Sequence, residues 1–302
     1  MLAIVIPYYK KAYFRECLDS LAEQSNKNFK VYIGDDASPE NPKNLLQEYE
    51  GKINFEYHRF SENLGQISLT RQWHRCINLS DGEEWLMILG DDDFLSSNYV
   101  EEFYENLPEI ERLNINVVRF ASRIVRSPSN ELSHLYTHPK IERSTDFFYR
   151  KFLKFSRGSL TEQIFARSAF EKHGFRDFEL GWGADNFAWL DFTDFGSVYS
   201  INTAIAYFRI SESNISRGGF EMKRKQNLKY LYFTLLIEKY LGKFRKDQRI
   251  PLLLFYEQIV YNSNQASIKF FFKMIYLFGR NSAYVQVLKF SRRFTIYHLN
   301  GQ

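Results

Sequence analysis

The chain has 302 residues, 44% hydrophobic and 25% charged, with 29 Phe and 20 Tyr but only 15 Gly and 7 Pro. That is the make-up of a soluble globular protein able to bury one large core or two modest ones. No apolar run nears the roughly 18 residues of a membrane span. The opening apolar run stops at Pro7, too short for a signal peptide, so secretion is not expected. The net charge of +4 hides a division: residues 220–302 hold 15 Lys/Arg against 4 Asp/Glu, and residues 1–219 hold 25 against 32. An acidic body with a basic tail suggests two jobs.

In chain order, residues 3–6 form a short β-branched strand closed by Pro7-Tyr8-Tyr9-Lys10-Lys11. Phe14, Cys17, Leu18 and Leu21 follow at helical spacing. Phe29, Val31 and Ile33 alternate as a second strand that ends in Asp35-Asp36-Ala37-Ser38. Leu45, Leu46 and Tyr49 suggest a short helix, and Ile53, Phe55 and Tyr57 a third strand. After the turn Asn63-Leu64-Gly65, a helix carries Leu69, Trp73, Cys76 and Ile77. Cys17 and Cys76 both fall on apolar helix faces and read as reduced core residues.

The run Trp85-Leu86-Met87-Ile88-Leu89 reads as a buried strand, and it drives straight into Gly90-Asp91-Asp92-Asp93. Strand and helix alternating through short connections predict βαβ units and a mostly parallel sheet. Two of four strands then deliver paired or tripled Asp to one sheet edge, the edge at which such sheets bind ligands. Adjacent acids repel unless a cation lies among them, and a hard divalent ion shared with a phosphate suits them. The alternative for each motif alone is a solvated turn or a helix cap.

Further on, the pattern predicts a helix through Tyr99, Phe103 and Leu107, a strand at 117–120, a polar loop over 127–139 and a helix over 147–155. A strand at 164–166 and a helix over 169–175 come next. A glycine-loosened turn, Gly181-Trp182-Gly183-Ala184-Asp185, enters another helix, and residues 198–209 hold the last strands. His134 and His138 read as an incidental pair, because Pro139 argues against the helix that would aim both rings together. In the tail, helical faces run through Leu228, Leu231 and Leu235, from Pro251 onward, and over 267–278.

On these motifs residues 1 to about 217 resemble a family 2 glycosyltransferase. The matching segments are Ile4-Val5-Ile6-Pro7-Tyr8-Tyr9, Asp35-Asp36-Ala37-Ser38, Asn63-Leu64-Gly65, Leu89-Gly90-Asp91-Asp92-Asp93, Ala184-Asp185 and Tyr207-Phe208-Arg209. Each is weak alone; their order and spacing carry the likeness. The resemblance implies an α/β GT-A fold, a mostly parallel central sheet with helices on both faces, followed by a C-terminal helical appendage. It implies a catalytic domain over 1–219, with nucleotide-binding (1–95) and acceptor-binding (96–219) halves, and a basic helical region over 220–302.

The resemblance also assigns roles. Pro7, Tyr8, Tyr9 and Asp36 would line the base pocket, with Asn63, Gly65 and Arg71 beside the nucleotide. Asp93, with Asp91, would hold Mn²⁺ or Mg²⁺, and Asp91 and Asp92 would face the donor's ribose or sugar. Asp185 would be the general base of an inverting transfer, and Trp182, Gly183 and Ala184 would lie on the acceptor side. The implied reaction moves a hexosyl or N-acetylhexosaminyl group from a nucleotide-diphosphate sugar, UDP-linked above all, to a saccharide or lipid-linked saccharide in bacterial polysaccharide assembly. Four positions depart from the family pattern: Gly90 replaces a usual Asp, Ala184 a usual Glu, Ser211 a frequent His, and Arg71 lies one residue beyond the usual arginine spacing.

Two competing readings are a sugar-nucleotide pyrophosphorylase and a non-catalytic scaffold of the same fold. The first needs a glycine-rich phosphate loop that Pro7-Tyr8-Tyr9-Lys10-Lys11 lacks, and the second should have lost Asp36, Asp93 and Asp185. The basic, aromatic tail is expected to meet an anionic membrane surface at the cytoplasmic face. The alternative is a helical subdomain packed on the acidic body. Nucleic acid is not expected as a partner, because no recognised motif accompanies the charge; self-association is left open.

Overall fold

The structure, a computed structural model, describes residues 1–211 and 222–300. The chain divides into two compact units, Met1–Gly218 and Gly219–Gln302; the predicted junction at 219–220 falls outside the described residues.

The first unit opens with the expected alternation: β1 (Leu2–Tyr8), α1 (Phe14–Ala22), β2 (Phe29–Asp35), α2 (Lys43–Gln47), β3 (Phe55–Arg59), α3 (Leu69–Ile77) and β4 (Trp85–Ile88). Next come β5 (Phe94–Leu95), α4 (Tyr99–Arg112), β6 (Val117–Arg126), β7 (Glu131–Leu132), β8 (Ile141–Arg143), α5 (Ser144–Phe152), β9 (Gln163–Ala166), α6 (Arg167–His173), α7 (Ala184–Phe192) and β10 (Ser197–Ile210). The sheet order is β3-β2-β1-β4-β9-β6-β10-β5, with β7 on β6 and β8 on β10. Strands β3, β2, β1 and β4 are parallel, as are β6 and β10, whereas β9 and β5 run against their neighbours. The alternating first half thus gives the parallel sheet that short βαβ connections dictate, and β9 splices a second, mixed half onto it.

Apolar faces explain why these elements dock. Phe14, Cys17, Leu18 and Leu21 of α1 are fully buried, as are Leu2 to Ile6 of β1. Each such large side chain contributes about 1.5–3 kcal/mol on leaving water. Cys17 and Cys76 are both free and buried. Register sets the site: Tyr8 pairs Asp35 and Asp35 pairs Arg59, so the ends of β1, β2 and β3 lie level. Strand β4 ends beside Val5, and Leu89 still donates its N–H to the Val5 carbonyl at 2.9 Å before the chain turns into the acids.

Several boundaries differ from expectation. Residues 197–210 form one long strand with an irregularity between Ile201 and Ile205. Part of the predicted loop 127–139 pairs as β7, and α5 and α6 begin two or three residues early.

The second unit is helical: α8 (Met222–Leu235) running into a π turn (Leu236–Tyr240), then α9 (Lys246–Asn262), α10 (Ile268–Arg280) and α11 (Tyr284–Asn300). Helix α9 begins at Lys246, where the Gln248 side chain accepts from the Arg245 N–H at 3.2 Å; Pro251 lies inside it rather than opening it. Phe290 packs on Phe270, Phe271 and Phe278 with ring centroids 5.6–5.9 Å apart, which joins α10 to α11. Among the described residues no helix is long and apolar enough to cross a membrane.

Candidate functional site

The edge formed by the ends of β1, β2 and β4 carries the predicted acids. Each is held by specific donors. Asp35 is fully buried and accepts from the Ser38 N–H at 2.8 Å, the Tyr57 hydroxyl at 2.5 Å and Arg59 at 2.8 Å. That makes it the brace of the β2 turn. Tyr8 is buried and donates its hydroxyl to the Glu40 carbonyl at 2.7 Å, and Pro7 pairs Gly34 inside the sheet.

Asp36 reaches the neighbouring turn. Its carboxylate accepts from Leu64 N–H at 2.7 Å and Gly65 N–H at 2.9 Å, and it pairs with Arg75. Any side chain at residue 65 would begin 2.6 Å from the Asp36 oxygen, so this close approach requires glycine. Asn63 closes the same turn by accepting from Gln66 N–H at 3.0 Å. The Arg75 guanidinium lies 3.9 Å over the Phe60 ring and donates to the Glu62 carbonyl at 2.9 Å. Arg71, in contrast, is exposed on the first turn of α3, where its N–H meets the Ser68 cap at 3.2 Å. The arginine beside Asp36 is Arg75, one helical turn beyond Arg71, the residue expected beside the nucleotide. The two share a helix face, so periodicity alone does not separate them.

The acidic turn is tied to three other segments. Asp91 accepts from the Tyr9 and Lys10 N–H groups, both at 2.7 Å, clasping the turn after β1. Asp93 is 2% exposed; it accepts from the Arg209 N–H at 2.8 Å and from the Thr161 hydroxyl. Arg209 is also buried and donates to the Asp92 carbonyl at 3.1 Å, to Ser127 at 2.9 Å and to Asn130 at 3.1 Å, and it pairs with Glu16. Its guanidinium lies 4.2 Å over Tyr13. Thr161 was not legible as a site residue, because it reaches Asp93 from a short helical turn far along the chain; Arg209 belongs to the matched segment 207–209, but its contact with Asp93 through the backbone N–H was not legible.

The electrostatics of this turn are those of buried, crowded carboxyls only partly offset by Lys10, Arg157 and Arg209. Burial and the Asp92 charge push Asp91 up to about 7 and Asp93 up to about 8, and burial raises Asp92 as well. A Cβ at residue 90 would lie 2.9 Å from an Asp93 oxygen and 3.3 Å from one of Asp92. The Asp93 carboxylate leans over residue 90, leaving little room there for a side chain. Among the described residues no three His, Cys, Asp or Glu side chains form a metal cage. Magnesium-like ions, however, use one or two carboxylates and complete their shell with water and substrate phosphate. The oxygen-only donor set and the crowding of buried carboxyls at residues 91–93, whose pKa values are raised, fit such an ion.

Asp185 lies in the first turn of α7, whose N-cap, Gly183, has φ +76°, a left-handed conformation suited to glycine. Its side chain is 18% exposed, and the Lys151 Nζ lies 3.2 Å from one carboxylate oxygen. Lys151 also donates to the Gly158 carbonyl, which ties Asp185 to the segment leading to Thr161 and hence to Asp93. Trp182 is 39% exposed, whereas Ala184 is wholly buried and presents no surface to a substrate. Ser211 is buried.

A family model for Glycosyl transferase family 2 matches residues 3–174. A search of curated proteins finds no match. Among solved structures, S. aureus TarS 1–349 in complex with UDP-GlcNAc superposes with a TM-score of 0.63 at 13% identity, covering 93% of this chain and 80% of that one. Another structure of S. aureus TarS 1–349 gives 0.57 at 16% identity, covering 100% and 92%. The complex of that protein with UDP gives 0.55 at 14%, again covering 100% and 92%. At such identities the likeness is one of fold.

Proposed function

Because this chain belongs to glycosyltransferase family 2, we propose that it is an inverting enzyme that moves a hexosyl or N-acetylhexosaminyl group from a UDP-sugar to a hydroxyl of a saccharide or lipid-linked saccharide. The observation that carries this reading is the pairing of two carboxylate sites joined through residues 151–161. One is the charge-loaded turn of Asp91, Asp92 and Asp93; the other is the partly exposed Asp185 at the start of α7. The UDP and UDP-GlcNAc complexes of TarS support the choice of donor.

In this reading the donor's nucleotide lies against the turn after β1 and the Asp36–Arg75 cluster, with the base between the Pro7 to Tyr9 segment and residues 63–65. Asp93 and Asp91 would hold a divalent cation, Mn²⁺ or Mg²⁺, which would supply positive charge to the departing diphosphate. Asp185 takes the proton of the acceptor hydroxyl while that oxygen attacks the anomeric carbon. The bond to the diphosphate breaks on the opposite face, so the anomeric configuration inverts. Trp182 offers an exposed aromatic face on which an acceptor ring can stack.

Thermal shift with UDP, GDP and their sugars, with and without Mn²⁺, tests the donor side. UDP ligands should stabilise the protein, and Mn²⁺ should enlarge the effect in the parent but not in Asp91→Asn/Asp93→Asn. Absence of a shift with every nucleotide would sink the reading.

A further inference from the structure

Helices α10 and α11 present an outer face that the transfer reaction does not use. On α10, Ile268, Phe272 and Tyr276 follow one another at four-residue spacing, one stripe of a helix. On α11, Val285, Leu288 and Leu299 recur at helical spacing on one exposed side of that helix. All six are between 61% and 74% exposed, although the inner faces of the same helices are packed with Phe270, Phe278 and Phe290. Single exposed apolar residues are ordinary; two adjacent helices repeating the pattern are not.

The charge on this hairpin has one sign. After Glu257 the sequence holds six Lys/Arg and no Asp or Glu as far as Gln302. Two of the cations are already paired: Lys273 with Glu238 at 2.7 Å and Arg293 with Glu257 at 2.6 Å. Lys269 and Arg280 on α10, and Lys289 and Arg292 on α11, make no ion pair among the described residues. Lys269 and Arg280 fall on the turns of the apolar stripe, and Lys289 and Arg292 flank Leu288.

We infer that this face of α10 and α11 is a docking surface for an anionic lipid bilayer. The aliphatic and aromatic side chains would enter the headgroup boundary, and the four cations would meet lipid phosphates. Amphipathic helices with cationic margins bind membranes in this way, by apolar burial together with attraction to anionic lipid. Charge also argues against a second copy of the chain as occupant. A two-fold contact sets a patch against itself, and here cations would face cations with no acidic residue on the hairpin to answer them. This surface is independent of the donor and acceptor assignments above.

The test is sedimentation of the full chain with vesicles of phosphatidylcholine alone or with about 30% phosphatidylglycerol. Runs at about 0.05 M and about 0.5 M salt separate the electrostatic share. Binding should require phosphatidylglycerol and weaken with salt. Lys289→Glu/Arg292→Glu should lower partition at least about tenfold, and Phe272→Ser/Leu288→Ser should lower it comparably, with melting curves like the parent's. No binding to the anionic vesicles at low salt would overturn the inference, as would variants that bind as well as the parent. A dimer in light scattering that Phe272→Ser/Leu288→Ser dissociates, without vesicle binding, would overturn it in favour of self-association.

Discussion

The Nζ of Lys151 lies 3.2 Å from the Asp185 carboxylate, and the same ammonium group donates to the Gly158 carbonyl. One cation from α5 therefore fixes both the proposed base and the segment that delivers Thr161 to Asp93. Lys151→Gln should leave the fold and donor KM near parental values and lower kcat about ten- to a hundredfold, the scale expected when a catalytic group loses its orientation. Lys151→Arg should recover part of the loss. Steady-state kinetics on the three proteins checks this, and an unchanged kcat in Lys151→Gln would remove the positioning role.

Arg75 and Arg71 give a matched pair. Arg75 touches Asp36, Phe60 and the Glu62 carbonyl, whereas Arg71 is exposed. Arg75→Ala leaves the mostly buried Asp36 carboxylate short of its cation and should cost about 1–3 kcal/mol of stability. It should also weaken UDP binding. Arg71→Ala should stay within about 0.5 kcal/mol of the parent. Chemical denaturation with UDP titration distinguishes them; equal effects would contradict the assignment.

Restoring a side chain at residue 90 should harm the protein rather than improve it. Gly90→Ala places a methyl 2.9 Å from Asp93. Overpacking of this kind costs about 1–3 kcal/mol, and Gly90→Asp adds a fourth charge to the turn. Thermal melts should fall in the order parent, Ala, Asp.

His138 supplies a pH dependence. Its burial, reinforced by the charges of Arg119, Arg150 and Arg157, pushes the imidazole down to about 2. In the unfolded chain the ring titrates near 6.5, so below that pH only the unfolded state takes up the proton. The stability associated with the neutral ring is complete above about pH 6.5 and declines toward pH 2, at about 1.4 kcal/mol per pH unit. His138→Asn should remove this component, leaving a shallower acid-side slope in denaturation curves between about pH 5 and 6. Identical slopes would count against a neutral buried ring.

What the sequence revealed, and what it did not, follows from the range of the interactions. Strands β1, β2 and β4 are apolar runs that end in acids, so both element and edge were readable from local pattern. Strands β5 and β7 are two residues long, too short for any period, and exist only because β10 and β6 pair with them. Helix α11 was missed because its apolar residues lie on both faces, half against α10 and half exposed. In the site, the acids were visible as motifs. Their partners Arg75, Thr161 and Lys151 were not, since each is chosen by tertiary proximity across many residues of chain, and Arg209 was visible as part of a motif but not as the partner of Asp93. The burial of Ala184, at the start of α7, was likewise not readable from its motif position.

Single-turnover transfer by Asp185→Asn decides whether Asp185 takes the proton of the acceptor hydroxyl. Asn keeps the shape and removes the base. Melting and UDP affinity should stay parental while transfer falls about 10²–10⁴-fold. Transfer within a few-fold of the parent would rule Asp185 out as the base.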